Sequence, residues 1–412
     1  MTFFILISTS FQKKAKNASF YKRLMQKKTP HILKLPSYRA KDVIEEILTS
    51  QELEKFLQIY AKNEADQQNL IAQARNILWK LSAQFSPAFV QKAYWTMQKV
   101  SKKMFSTLYF KPSELAQTAD YVKNHSVVFL PTHKSHMDYM LLSSVLYQNQ
   151  ISPPHIAAGM NLCFWPVGNF MRKSGAFFIQ RSLNRDRLYV KVLDLYLDWL
   201  VRQQYTQELF IEGGRSRDGK IRAPSLGILH LLIEAQKAHH SLCFIPVQIS
   251  YDQVPDQPSL TREQMGKQKQ EENIFQVFEA FTLLKNNYGN VYLQFGRRIE
   301  SHASHPKDQA KDIASQACTY FRKHQHPTGR SILSRVLHRG DLHKQDLLSQ
   351  INSLANKLQD QNTFELDLCL EAKMQYQRML DKNTLKWEDS KWSIEPEEIP
   401  AIEYYSNSLE LI

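Results

Sequence analysis

His133 and Asp138 stand five residues apart in the run Pro131-Thr132-His133-Lys134-Ser135-His136-Met137-Asp138-Tyr139, directly after the apolar stretch Ser126-Val127-Val128-Phe129-Leu130. A histidine at a strand end, followed by an aspartate in the first turn of a helix, is the layout of a general base with its orienting carboxylate. An imidazole can take a proton from an alcohol, and a nearby carboxylate fixes its tautomer and stabilises the imidazolium that forms. No serine or cysteine elbow accompanies the pair, so the expected nucleophile is a hydroxyl of the substrate.

The pair meets only under one local geometry. Five residues along a continuous helix turn the chain by roughly 500°, which would separate the two side chains. His133 must therefore lie in the loop before the helix. Ser135 is the candidate N-cap, and Met140-Leu141-Leu142 with Val145 and Leu146 supplies the helix body. An acid in a first helical turn also suits the helix dipole on its own account. His133, His136 and Asp138 are metal-ligand types as well, yet no distal ligand cluster matches them. The four cysteines (Cys163, Cys243, Cys318, Cys369) lack zinc spacing, so no metal is expected.

Three further blocks strengthen the chemical reading. Gly175-Ala176-Phe177-Phe178-Ile179-Gln180-Arg181 reads as a short buried strand delivering Arg181 at its end. Glu208 through Glu212 reads as a strand running into the basic loop Gly213-Gly214-Arg215-Ser216-Arg217-Asp218-Gly219-Lys220. Arg181, Arg215 and Arg217 offer planar forks suited to phosphate oxygens, and Gly213 and Gly214 let backbone N–H groups approach an anion. Cys243-Phe244-Ile245-Pro246-Val247-Gln248-Ile249-Ser250 is a fourth block, an apolar strand interrupted by proline. Gly214-x4-Gly219-Lys220 matches the start of a P-loop, but Ile221 replaces the required Ser or Thr and Pro224 follows. A nucleotide-dependent kinase or ATPase is thereby excluded.

In this order the four blocks strongly resemble the motifs of the glycerolipid acyltransferases. The closest likeness is to the bacterial membrane-bound glycerol-3-phosphate acyltransferases and the related dihydroxyacetone-phosphate enzymes. His133–Leu142, Pro154–Gly159, Asn161–Gly168 and the Glu-Gly-Gly-Arg-Ser-Arg run all look like the glycerol-3-phosphate branch. The resemblance spans roughly residues 40 to 355. One departure is clear: Gln180-Arg181 stands where the family commonly has Arg-Arg, one positive charge fewer.

The resemblance implies a central mixed sheet flanked by helices, with helical regions before and after it. It implies transfer of an acyl group from acyl-CoA or an acyl-carrier protein to the sn-1 hydroxyl of glycerol 3-phosphate, giving lysophosphatidate, with no cofactor. His133 would be the base and Asp138 its support. Arg181, Arg215, Ser216 and Arg217 would hold the acceptor phosphate, and Glu212, Gly213 and Gly214 would shape the loop. Pro246 and Val247 would line the acyl-donor side. Dihydroxyacetone phosphate or a lysophospholipid is the rival acceptor, and a catalytically silent membrane-binding protein on the same fold is the rival of another class.

The rest of the chain must position these groups. Residues 42 to 110 read as helical, and short apolar strands then alternate with helices around 138–149, 187–204, 225–239 and 273–288, ending at a strand from 291 to 295. That alternation implies an α/β domain, placed at 111–306. Helices return over 307–386, and 387–412 reads as an acidic tail with seven acids and one lysine.

Ten of the first 41 residues are Lys or Arg and none is acidic, within a net charge of +13. Such an arm suits an anionic membrane surface and comes with no nucleic-acid-binding motif. Phe3 to Ser8 is far shorter than the roughly 20 residues a span needs. Ile156 to Ile179 is interrupted by Arg172 and Lys173, and suits an interface or the wall of an acyl groove. The expected location is the cytoplasmic face of a membrane, peripheral or monotopic, in keeping with four dispersed cysteines and a reducing compartment.

Overall fold

The structure is a computed structural model that describes residues 32–180, 186–236, 242–264, 284, 286–338, 344–388 and 391–409. Helices α1 (Ala40–Leu48), α2 (Gln51–Tyr60), α3 (Glu64–Leu81) and α4 (Pro87–Met104) come first. Ser50, Asn63 and Ser86 start the last three of these, each side chain accepting a bond from a first-turn N–H. The expected arm up to residue 31 and most of the expected helix at 273–288 lie outside the described residues.

The α/β part then runs β1 (Thr107–Tyr109), α5 (Pro112–Asn124), β2 (Ser126–Pro131), α6 (Asp138–Gln148), β3 (His155–Gly159), α7 (Val167–Lys173) and β4 (Ala176–Ile179). It continues through α8 (Arg187–Arg202), β5 (Gln207–Glu208), α9 (Gly227–Gln236), β6 (Leu242–Tyr251), α10 (Gln257–Gln264) and β7 (Asn290–Phe295). After these come α11 (Pro306–Lys323), α12 (Gly329–His338), α13 (Lys344–Lys357) and α14 (Leu368–Asp381). A hairpin, β8 (Leu385–Glu388) with β9 (Lys391–Ile394), and α15 (Ile399–Asn407) complete the chain. The segment expected as an acidic tail is thus largely ordered: Ile402, Tyr404 and Tyr405 are buried, because the acids alternate with apolar and aromatic residues that pack inward.

Seven strands form one sheet in the order β1-β7-β6-β2-β5-β3-β4, parallel throughout except where β7 meets β6. The sheet is mixed and flanked by helices, as expected. Both of its faces are covered, and the strands show why. Val128, Leu130 and Phe244 pack with α3, α8, α9 and α11, while Val127, Phe129, Ile245 and Val247 pack with α6 and α15. Alternate residues feed opposite cores, so both faces need apolar side chains and the strands read as continuous apolar runs. Pro246 is tolerated inside β6 because its carbonyl, which accepts from Gly296 N, faces the β7 side; its missing N–H removes no bond to β2.

Four parallel strands, β2 through β5, end on the same edge of the sheet. In such sheets the carboxyl ends of the strands are where ligands bind, because the loops that leave them are free to carry chemistry. The expected strand at 208–212 is shorter than its apolar residues suggest: pairing stops at Glu208, and the chain turns by Gly213, whose φ is +63°. Glu212 is pulled out of the ladder by bonds to two loops.

Candidate active site

The loop after β2 puts His133 beside Asp138. His133 Nδ1 lies 3.0 Å from Asp138 Oδ2. A carboxylate only accepts, so Nδ1 carries the proton and Nε2 is left as the basic nitrogen. The ring also rests against Phe210, with centroids 4.0 Å apart. Asp138 itself is fully buried and heavily supported. Its Oδ2 accepts from Lys134 N at 2.7 Å and Ser135 N at 2.8 Å, and its Oδ1 accepts from Tyr251 Oη at 2.6 Å.

Ser135 is not the N-cap. The helix starts at Asp138, and Ser135 Oγ instead donates to Asp256 Oδ1 at 2.7 Å and accepts from Met137 N at 3.0 Å. Asp256 also accepts from His136 N at 2.8 Å and from Arg215 at 2.9 Å. Burial alone would push its carboxyl up, but His136 and Arg215, together with the bonds from His136 N and Ser135, hold it below the usual aspartate range.

Glu212 ties the two loops together. It accepts from His133 N at 2.8 Å with one oxygen and from Arg222 N at 2.9 Å with the other. Burial raises its pKa, and those two bonds work against the rise. Lys134 is buried as well, its ammonium donating to Gly219 O at 3.1 Å, and burial lowers its pKa.

A cavity of about 680 Å³ opens where these groups converge. His133, His136, Arg215, Arg217 and Arg222 line it, with Gly213, Gly214 and Gln180. Its apolar wall comes from Ile156 through Ala158, Met171, Ile179 and Phe210. A small, almost wholly apolar cavity of about 80 Å³ lies next to it, sharing Tyr139, Ile156 and Met171 and extending along α4 past Ala93 and Met97. The arrangement offers a base, an anion site and an adjoining apolar recess.

Several expectations on individual residues need correction. Ser216 is fully buried, and its hydroxyl donates to Lys220 O at 2.7 Å, so it braces the loop and does not face the cavity. Pro246 and Val247 do not line this cavity: they lie inside β6, in register with Leu130 and Pro131, and Val247 packs in the sheet core. The apolar wall beside His133 comes instead from β3, β4 and α7. Arg181 lies outside the described residues. Arg172 is no surface interruption: it is buried, capping the end of α3 through the carbonyls of Trp79 at 3.3 Å, Ser82 at 2.7 Å and Lys80.

Sequence reasoning missed Asp256, Tyr251, Phe210 and Arg222. Tyr251 could have been flagged, since it ends a strand whose parallel neighbour delivers His133 to the same edge. Asp256 carried no comparable signal. Among the described residues no cluster of His, Cys, Asp or Glu is arranged to hold a metal ion, and no helix is long and apolar enough to cross a membrane.

The site thus joins a base oriented by a buried carboxylate to an arginine-lined cavity on a doubly covered sheet. Residues 114–251 match the family model described as Acyltransferase. Residues 261–409 match the model described as the glycerol-3-phosphate acyltransferase C-terminal region.

Curated relatives agree with those matches. A glycerol-3-phosphate acyltransferase of Shewanella oneidensis is 37% identical over 268 residues, covering 64% of this chain and 33% of that protein. One from Shewanella baltica is 36% identical over the same length and coverage. The chain therefore spans about a third of the length of the curated relatives it matches. The crystal structure of the 1-acyl-sn-glycerophosphate acyltransferase PlsC from Thermotoga maritima aligns at a TM-score of 0.32 and 13% identity, covering 69% of this chain and 95% of that one, a likeness too distant to bear on the fold.

Proposed function

We propose that the protein transfers a fatty acyl group from acyl-CoA or an acyl-carrier protein to the sn-1 hydroxyl of glycerol 3-phosphate, giving lysophosphatidate and free thiol. The observation that carries this reading is His133 held on Asp138 at the wall of a cavity that also displays Arg215, Arg217 and Arg222. Nε2 of His133 removes the hydroxyl proton as the oxygen attacks the thioester carbonyl. The tetrahedral adduct collapses, the carbon–sulfur bond breaks, and the thiolate takes the proton from the imidazolium. Asp138 keeps the imidazole oriented and offsets its positive charge. The arginines hold the acceptor phosphate, and the apolar recess along α4 receives the start of the acyl chain. No cofactor enters this sequence.

The site works at the cytoplasmic face of an anionic membrane in this reading. Support comes from large aromatic side chains left in solvent: Trp165 is 75% exposed, Trp79 58%, Trp95 50% and Phe170 48%. Arg172 ties the Trp165 segment to the end of α3, and Phe170 meets Phe89 of α4 at 5.1 Å, so the four come from adjoining elements. Aromatic rings among exposed lysines such as Lys80, Lys92 and Lys173 suit a headgroup region.

The test is acyl transfer from labelled palmitoyl-CoA by the purified protein in anionic liposomes, with glycerol 3-phosphate, dihydroxyacetone phosphate and a lysophospholipid offered separately. Lysophosphatidate formed from glycerol 3-phosphate in preference to the other products is the expected result. Preference for another acceptor would reassign the substrate. Liposome binding with no transfer to any acceptor would leave a catalytically silent protein.

A further inference from the structure

The helix that completes the chain reaches back to the candidate site. α15 belongs to two cores at once: Ala401, Tyr404 and Tyr405 pack with sheet and α6 residues, while Ile402, and Leu409 just beyond the helix, pack with α12, α13 and α14. Its outer end is fastened by Arg330, which pairs with Glu398 at 2.6 Å and lies 5.4 Å from the Tyr405 ring centroid.

On its other side α15 touches the arginine-bearing loop and the segment after β6 that carries Asp256. Asn407 Nδ2 donates to Asp218 O at 2.9 Å. Tyr405 Oη accepts from Val254 N at 2.8 Å, two residues before Asp256. The Tyr404 carbonyl lies so close to Gly219 that a Cβ there would sit 1.9 Å from it, on a residue whose φ is +86°. Gly219 O in turn holds the Lys134 ammonium, and Lys134 N is one of the donors on Asp138. A continuous line of contacts therefore joins α15 to the carboxylate that orients His133.

On its inner side the loop at 213–222 is held by Ser216 N on His133 O at 2.8 Å and by the Arg215–Asp256 pair; α15 is what meets its 218–219 turn. Its internal bonds from Ser216 and Asp218 are local, and Arg217 and Lys220 are exposed. A surface loop opens locally at a free energy set by such contacts, so removing the α15 contact lowers that cost. An arginine site that must meet a phosphate in one geometry gains from being fixed beforehand.

We infer that α15 is a strap that sets the conformation of the arginine-bearing loop, with Asn407 as its positioning residue. The kinetic consequence rests on the acyl-transfer reading; the structural one does not. The contact also gives the glycerol-3-phosphate acyltransferase C-terminal region a task at the site of the acyltransferase domain that precedes it.

The experiment is hydrogen–deuterium exchange on the 412-residue protein and its Asn407→Ala variant, with melting temperatures and both Michaelis constants measured alongside. One lost neutral hydrogen bond supports an acceleration of about threefold to tenfold in the peptide covering 212–222. Peptides from α12 and α14 should exchange as before, and the melting temperature should hold. KM for glycerol 3-phosphate should rise by a similar factor, with KM for palmitoyl-CoA unchanged. Gly219→Ala, which forces Tyr404 away, should give the same localised pattern more strongly; if it fails to fold, Asn407→Ala decides alone. Unaltered exchange at 212–222, or a uniform rise with a lower melting temperature, would overturn the strap. Absence of acyl transfer by the wild type would sink the functional reading, while the exchange result still decides this one.

Discussion

Two carboxyl groups lie buried in the sheet region beneath the cavity, and the protein treats them in opposite ways. Asp138, in the loop-to-helix turn after β2, accepts from four donors. Glu208, the last residue of β5 and flanked by Phe129 and Ile156, accepts from none among the described residues, and burial followed by the negative charge of Asp138 pushes its pKa well above the usual glutamate range. The difference lies in what surrounds each. The loop after β2 turns free backbone N–H groups onto Asp138, whereas the N–H that follows Glu208, that of Leu209, is committed to Phe129 O at 2.9 Å. Chemistry that needs a negative charge belongs where donors converge; a buried acid without donors is kept neutral instead.

The sharpest way to break this contrast is at the base that Asp138 serves. His133→Ala should lower acyl transfer by about 10²- to 10⁴-fold, the range for loss of a positioned general base, measured as kcat/KM for glycerol 3-phosphate. Unchanged turnover would remove the pair from the mechanism. Arg215→Ala comes next, with KM for glycerol 3-phosphate rising about 10- to 100-fold, as loss of a charged hydrogen bond implies. Arg217→Ala, an exposed residue, should cost less; equal losses would mean that the Asp256 partnership of Arg215 has no bearing on the acceptor.

Buried groups that carry no charge sharpen the comparison through stability. His155 is fully buried, its Nε2 2.8 Å from Tyr38 Oη, and burial pushes its pKa down to about 4. The unfolded chain therefore binds a proton that the folded chain refuses, and stability falls as pH drops from about 6.5 toward 4. The loss from this residue should be about 2–3 kcal/mol. Urea unfolding of His155→Gln should show a smaller loss between pH 7 and 4.5 than the wild type; identical slopes would place the acid sensitivity elsewhere, first at His326, lowered to about 3 by burial.

Glu208 has the opposite sign. Its folded pKa is raised, so the unfolded chain gives up the proton first and the fold weakens as pH climbs above about 4.5. Glu208→Gln keeps the shape without the titration. It should change stability at pH 5 by no more than about 1 kcal/mol and gain on the wild type by pH 8. A loss that deepens with pH would show that Glu208 is ionised in the folded chain.

Much of this was legible in the sequence, and what was not has a common cause. The β2 strand, the loop placing His133 before the helix and the arginine loop were read from apolar runs, glycines and charge spacing, which are local signals. The helix at 138–148 was placed well while its N-cap was not, because Ser135 answers to Asp256, which lies 121 residues away. Val247 was assigned to the acyl-donor side by resemblance, yet its side chain belongs to the core, a matter of strand register that one sequence does not reveal. The acidic run after residue 387 hid a packed helix because its apolar residues are spaced by acids. Pairings across the fold were the illegible part.

The most direct measurement sets the two carboxyl groups against each other: kcat/KM for glycerol 3-phosphate with Asp138→Asn and Glu208→Gln, assayed side by side in the same liposomes. The account predicts a loss of about 10²-fold or more for Asp138→Asn and a change within about threefold for Glu208→Gln. Equal losses, or the larger loss at Glu208, would contradict it.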